Sequence, residues 1–379
     1  MPEAPIILIS NHWIFDYLIP DSSPQVSPSN DIRRIDLQYK FVLCCKMDDI
    51  HKLAAQYFQL VELNHLEFPP GPVLVKPDVQ AALHAHMFDE TIFPIPPHSY
   101  RSRVLKQILS RIEEAITDPE QDEINDDLME SWSTLVSQPK PSSLEQAQQL
   151  SLVKYTAPNS TRTVTTSESR GLILSGGTTG NRTWEAALYL GSFLASDAGE
   201  ELVRGKRVIE LGAGTGFLAL FCARHLRVES VVVTDREPFL IDNIRACVRY
   251  NQEGEEAIPI YPAVWEWGTP LDRTGELDGV DGGLKFDVAL GADLIYDSDL
   301  VPLLLSTVGD LFDNYGIDQF IIAATLRNED TFRTFLNGCE TNKFTVETLP
   351  FESTSSEKQT GFFHSTSIPI RTYRISRTK

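Results

Sequence analysis

Residues 208–235 read VIELGAGTGFLALFCARHLRVESVVVTD, and this stretch decides the fold. An apolar run, Val208 to Leu211, enters a glycine-rich turn, Gly212-Ala213-Gly214-Thr215-Gly216. A helix-competent segment follows from Phe217 to Leu226, and a second strand-like run, Val231 to Thr234, ends on Asp235. Glycines let a backbone turn sharply and come close to a ligand, while the following helix presents unpaired N–H groups at its N-terminus. An acid about twenty residues after the glycines is placed to accept hydrogen bonds from both hydroxyls of a ribose. The pattern therefore predicts a nucleotide site at the mouth of a parallel sheet. Nicotinamide cofactors and S-adenosylmethionine both use that geometry. A dinucleotide fingerprint, GxGxxG, wants its third glycine one position later, where Phe217 stands here. Glu210, just ahead of the turn, suits the cationic methionine end of S-adenosylmethionine better than a pyrophosphate. Glu210, Gly212, Ala213, Gly214, Gly216 and Asp235 are thus the first cofactor-binding candidates. A tight turn with no ligand is the plainer alternative, and the combination of strand, glycines, helix, strand and acid outweighs it.

Composition narrows the class. The 379 residues leave room for two domains of ordinary size. No uninterrupted apolar stretch reaches membrane-spanning length, and the first residues lack a basic segment ahead of an apolar core. A cytoplasmic enzyme that makes no membrane contact is the expectation. The five cysteines, Cys44, Cys45, Cys222, Cys247 and Cys339, are scattered and show no CxxC spacing, so neither a disulfide framework nor a metal site is expected. Lys and Arg total 33 against 53 Asp and Glu, a net charge of -20, which disfavours direct nucleic-acid binding. An acidic surface suits a basic protein partner, although solubility alone accounts for most acidic chains.

The chain divides by rhythm. Residues 1–136 lack alternation of strand and helix and read as a helical N-terminal domain, with a possible role in substrate recognition. Apolar residues recur at helical spacing within 35–63, from Val79 to about Phe88, and from Tyr100 to Ile116, and an acidic helix is expected over Glu123 to Val136. Ser22 to Asn30 reads as a loop, and His65 to Pro77, with four prolines, as a connector. His84 and His86 lie two apart and so fall on different helix faces, which argues against a metal site. Residues 137–160, rich in Gln, Ser and Pro, read as a linker, and 161–379 as the catalytic domain. A hairpin is expected from Thr161–Thr166 and Gly171–Leu174. Core strands are expected near 207–211, 231–234, 258–264, 286–292 and 319–325, with a terminal antiparallel pair at Phe344–Glu347 and Ile368–Ile375. This is an α/β architecture, the seven-stranded methyltransferase variation on the Rossmann-like doubly wound sheet.

Ligands in such sheets bind outside the carboxyl ends of the strands, so the strand ends supply further candidates. The third core strand runs into Trp265-Glu266-Trp267-Gly268, where an aromatic is placed to cover an adenine; Trp267 is favoured over Trp265. The fourth ends in Gly291-Ala292 and then Asp293-Leu294-Ile295-Tyr296, small residues leaving room for a cofactor beside an acid. Asp293 is placed to receive the ammonium of a lysine, with Tyr296 as a wall or hydrogen-bond acceptor, and these are the catalytic candidates. Trp184, near the start of a helix after Thr178-Thr179-Gly180, belongs either to the cofactor pocket or to the core.

With these residues assembled, the chain resembles the class I protein-lysine methyltransferases that carry a DxxY motif, here Asp293-Leu294-Ile295-Tyr296. It is most similar to the elongation factor 2 lysine methyltransferases, the family with sequence similarity 86. Ser167-Glu168-Ser169, Gly177 to Gly180, Thr183 to Leu190, Val208 to Gly216, Trp267, Gly291 to Asp293 and Arg327-Asn328 carry that resemblance. It implies S-adenosylmethionine contacts at Trp184, Gly212 to Gly214, Asp235, Trp267 and Ala292, and methylation of a lysine on translation elongation factor 2. The chain departs from the family in holding two tryptophans at 265 and 267 where the family has one after a Leu-Asp pair. A methyltransferase of another protein, a nucleic acid or a small molecule, and a non-catalytic scaffold, are the alternatives. The proline-free tip at Asp293 speaks against the nucleic-acid amino-methylating enzymes, and the intact glycine loop against the scaffold.

Overall fold

A computed structural model of the chain describes residues 47–120, 122–139, 142, 149–169, 179–252, 258–272, 277–278 and 284–378, which lie within one compact unit, Lys46–Lys379. The expected loop at Ser22–Asn30, the start of the first helical stretch, Cys44, Cys45 and the strand at Gly171–Leu174 lie outside the described residues.

The N-terminal part is helical. A helix over 47–58 is followed by Pro77–Met87, His98–Ala115 and Asp126–Ser137. The expected connector before Pro77 contains a single helical turn, Gly71–Leu74. Periodicity works here because Tyr100, Val104, Leu105, Ile108, Leu109 and Ile112 fall on one face and are all buried. Asn125 caps the last helix by accepting a hydrogen bond from the Leu128 N–H at 3.1 Å, and Asp126 and Asp127 sit in its first turn, favourable to the helix dipole. These helices enclose their own core around Ile50, Leu53, Tyr57, Leu83, Ile108 and Leu128.

Two strands, β1 (Leu150–Thr156) and β2 (Thr163–Ser169), form the antiparallel hairpin, with Tyr155 opposite Val164. The first strand therefore lies inside the stretch expected to be linker, not at Thr161–Thr166. Gln and Ser dominate the composition ahead of Leu150 and conceal the short run in which Val153 and Tyr155 turn into the core.

The central sheet contains β3 (Arg207–Leu211), β4 (Ser230–Asp235), β5 (Ile260–Val264), β6 (Val288–Ala292), β7 (Gln319–Thr325), β8 (Phe344–Thr348) and β9 (Ile370–Arg377). Their order is β5-β4-β3-β6-β7-β9-β8. The first five are mutually parallel, and β9 runs antiparallel to both β7 and β8. The expected seven-stranded sheet is thus present. Strands buried on both faces read as continuous apolar runs, and Val231-Val232-Val233 and Val288-Ala289-Leu290 are fully enclosed. The strand order reverses between β3 and β6, so the carboxyl ends of these neighbours open a crevice.

Candidate active site

That crevice is a cavity of about 290 Å³ whose wall includes Thr179, Thr183, Trp184, Glu210, Gly212 to Thr215, Asp235, Trp265, Trp267, Ala292 to Leu294, Tyr296 and Arg327. Every sequence-derived candidate stands on it except Gly216. Gly216 instead opens the helix Phe217–His225 at φ 75°, where a Cβ would meet Ile244 Cγ1 at 2.9 Å. Its glycine answers to backbone and packing, and it does not line the crevice.

The glycine turn is held from two sides. Gly212 and Gly214 both take positive φ, and a Cβ on Gly214 would stand 2.9 Å from the Gly180 carbonyl. Asp235 accepts from the Gly214 N–H at 3.0 Å through one carboxylate oxygen and from the Glu237 N–H at 3.1 Å through the other. Burial pushes its carboxyl upward, and those N–H groups pull it back.

Glu210 lies beneath the turn, 3% exposed, accepting from the Ala219 N–H at 2.8 Å. Burial, opposed by that hydrogen bond, pushes its carboxyl from the usual 4.5 up to about 8. Between these values the folded protein keeps a proton that the unfolded chain has lost. Its contribution to stability is therefore full below about 4.5 and declines as pH rises to about 8. Glu210→Gln is expected to flatten this decline, read from denaturant midpoints across the same pH window. An unchanged slope would mean that Glu210 is charged in the folded state.

The structure separates the two tryptophans. Trp265 is 3% exposed, donates its indole N–H to the Thr269 carbonyl at 2.9 Å and packs toward Tyr315. Trp267 is half-buried, and its ring would stand 3.2 Å from a Cβ on Gly212. Trp184, just ahead of the helix Glu185–Leu194, donates its indole N–H to Thr179 O at 3.1 Å, and the Arg327 guanidinium stands 5.4 Å from its ring centre.

Asp293 takes φ 59°, an unusual conformation for a residue with a Cβ. Its own N–H donates to Ala323 O at 2.8 Å. One carboxylate oxygen accepts from Arg327 at 2.7 Å and the other from the Thr325 N–H at 3.3 Å. Arg327 also reaches Glu185 at 3.5 Å. The Asp293 carboxylate thus meets the Arg327 guanidinium in this structure, at the mouth of the cavity. Tyr296 stands at the rim, 61% exposed.

Sequence reasoning from the residues also passed over a buried acid. Glu168 is fully buried, and one of its oxygens accepts from the hydroxyls of Tyr155, Thr166 and Thr183, each at 2.7 Å. Thr183 in turn lies 2.7 Å from the Thr215 hydroxyl, and both line the cavity. An acid in an alternating strand carries no local sign of such a role. Among the described residues no group of three or more His, Cys, Asp or Glu is placed to hold a metal, and no helix is long and apolar enough to cross a membrane.

The crevice fits a nucleoside carrying a cationic amino-acid tail. Gly214 leaves no room for a side chain, an acid stands at the end of β4, a second acid lies under the turn, and an indole faces Gly212. Fold and crevice together define a Rossmann-like methyltransferase. A family model described as lysine methyltransferase matches residues 174–342. The protein-lysine N-methyltransferase EFM3 of Chaetomium thermophilum is 40% identical over 332 residues, covering 85% of this chain and 96% of that protein. EFM3 of Saccharomyces cerevisiae is 29% identical, covering 67% and 76% respectively. The EEF1A lysine methyltransferase 3 of Mus musculus is 30% identical, covering 44% and 64%. The chain belongs to the protein-lysine N-methyltransferase family, enzymes that use S-adenosylmethionine as methyl donor.

Proposed function

We propose that the protein methylates a lysine of translation elongation factor 2 in the cytoplasm. The observation that carries this reading is the convergence of Asp235, Trp267, Asp293 and Tyr296 on one strand-tip cavity. The resemblance to elongation factor 2 lysine methyltransferases supports the substrate, as does a relative named for a lysine of another elongation factor.

In this reading Asp235 accepts from the ribose hydroxyls and Trp267 covers the adenine. The backbone of Gly212, Ala213 and Gly214 lies against the cofactor, Ala292 leaves it room, and Glu210 and Trp184 face its methionine end. S-adenosylmethionine supplies a methyl group on a positively charged sulfur. The chain's residues position the amine and exclude water, and the ammonium gives its proton to solvent before it is enclosed. A lysine ammonium has no lone pair, so it must deprotonate before transfer, and desolvation beside another cation lowers its pKa. Asp293 accepts an N–H of the incoming amine through a remaining lone pair, while Arg327 fixes the orientation of the carboxylate. Tyr296 forms the outer wall. Positioning supplies most of the acceleration of such a displacement. Residues 1–136 act in substrate recognition, and the helices described among them enclose a core of their own.

Incubating a lysate that lacks this protein with labelled S-adenosylmethionine and the recombinant enzyme is expected to label one band of the size of a large translation factor. Mass spectrometry is expected to place the label on a lysine of elongation factor 2. Label on a different protein would overturn the substrate, and label on RNA or a small metabolite would overturn the lysine assignment as well.

A further inference from the structure

A second cavity, about 480 Å³, lies between the helix Glu185–Leu194 and the segment that joins β8 to β9. Its lining includes Tyr189, Phe351, His364 and Ile368, with Glu352 and Arg371 exposed at the rim. The lining is built, not loose. Tyr189 donates its hydroxyl to Phe351 O and packs edge-on against the Phe351 ring. His364 donates from Nδ1 to Phe362 O at 2.7 Å, which leaves Nε2 to accept from the Ser353 hydroxyl at 3.0 Å. Ile368, by contrast, is 41% exposed.

This cleft connects to the lining of the catalytic cavity through one backbone hydrogen bond. The Pro369 carbonyl accepts from the Leu326 N–H at 2.9 Å, one residue before Arg327. Tyr189 stands one helical turn after Glu185, which pairs with Arg327. The outer side of the cleft, from Thr348 to Arg371, lies beyond the 174–342 match to the general lysine-methyltransferase model. So does the helical N-terminal part, and the two are joined. The Gln59 side-chain amide donates to Phe363 O and accepts from the Phe363 N–H at 2.9 Å, and Lys52 donates to Glu357 O at 3.0 Å.

We propose that this cleft docks an extended segment of the protein substrate, flanking the target lysine, and so selects the substrate. The proposal rests on the reading that the strand-tip cavity is where the methyl group is transferred. An extended chain advances about 3.3 Å per residue, so a residue only a few positions from the lysine reaches the cleft. The Tyr189–Phe351–Ile368 surface takes an apolar side chain of that segment. The net charge of -20 favours a segment set in basic surroundings. The helical part acts through the cleft, by holding its outer strap at Phe363 and Glu357.

The substrate for the test is whichever protein the wild-type enzyme labels in the lysate. Ile368→Glu is expected to raise KM for that protein roughly tenfold, with kcat and cofactor affinity unchanged, because an apolar contact is replaced by a carboxylate. Leu336→Glu, on the exposed face of the helix Glu329–Thr341, is the control and is expected to leave KM unchanged. A short peptide carrying the lysine without its flanks is expected to be methylated equally by wild type and Ile368→Glu. An unchanged KM in Ile368→Glu, or an equal loss with the short peptide, overturns the cleft assignment. A labelled protein other than elongation factor 2 overturns only the proposed substrate.

Discussion

Asp235→Ala is expected to weaken S-adenosylmethionine binding by about 1.5–3 kcal/mol, roughly 10- to 150-fold, the scale of hydrogen bonds to a charged acceptor. Two effects add in one direction. The ribose hydroxyls lose their acceptor, and the Gly214 and Glu237 N–H groups lose the carboxylate that holds the glycine turn. Calorimetric titration of the purified variant checks the loss. Wild-type affinity would mean that the ribose is held elsewhere and that Asp235 serves the loop alone. Asp235→Asn separates the two contributions, since its carbonyl still accepts one hydrogen bond while the charge is gone.

Asp293→Asn is expected to retain cofactor binding and lose about 10²–10³ in kcat, a few kcal/mol at a water-excluded site. The amide offers no negative charge to an incoming ammonium and breaks the ion pair with Arg327. Arg327→Ala tells these apart. It leaves the carboxylate charged and more available, so it is expected to keep more activity than Asp293→Asn. Equal losses in the two variants would show that the pair works as one positioning unit, without direct contact with the lysine. Full activity in Asp293→Asn would place reception of the lysine elsewhere. Single-turnover kinetics separates transfer from product release in all three enzymes.

The five parallel strands were legible because burial on both faces leaves an uninterrupted apolar run, as in Val231-Val232-Val233. The helix His98–Ala115 was legible because its buried residues recur at helical spacing. The hairpin was not. Its first strand hides behind a Gln- and Ser-rich stretch, and its register depends on the packing of Val153 and Tyr155 against the rest of the core. The place of Trp267 directly before Gly268 favoured it over Trp265 in the sequence, and the burial of Trp265 and the approach of Trp267 to Gly212 give that preference its physical reason.

By itself the sequence determined what is local. A turn that demands positive φ at Gly212 and Gly214, an acid at the end of the next strand, and the periods of strands and helices are written in neighbouring residues. The tertiary structure decided what depends on distant partners. Arg327 reaches Asp293 across 34 positions, Gln59 reaches Phe363 across 304, and Gly216 faces Ile244 from another helix. Such contacts carry no periodic signature, because chain packing brings the partners together only after each local element has formed. The pocket's location was therefore readable along the chain, whereas the charge state of its acids and the cleft beside it exist only in the folded arrangement.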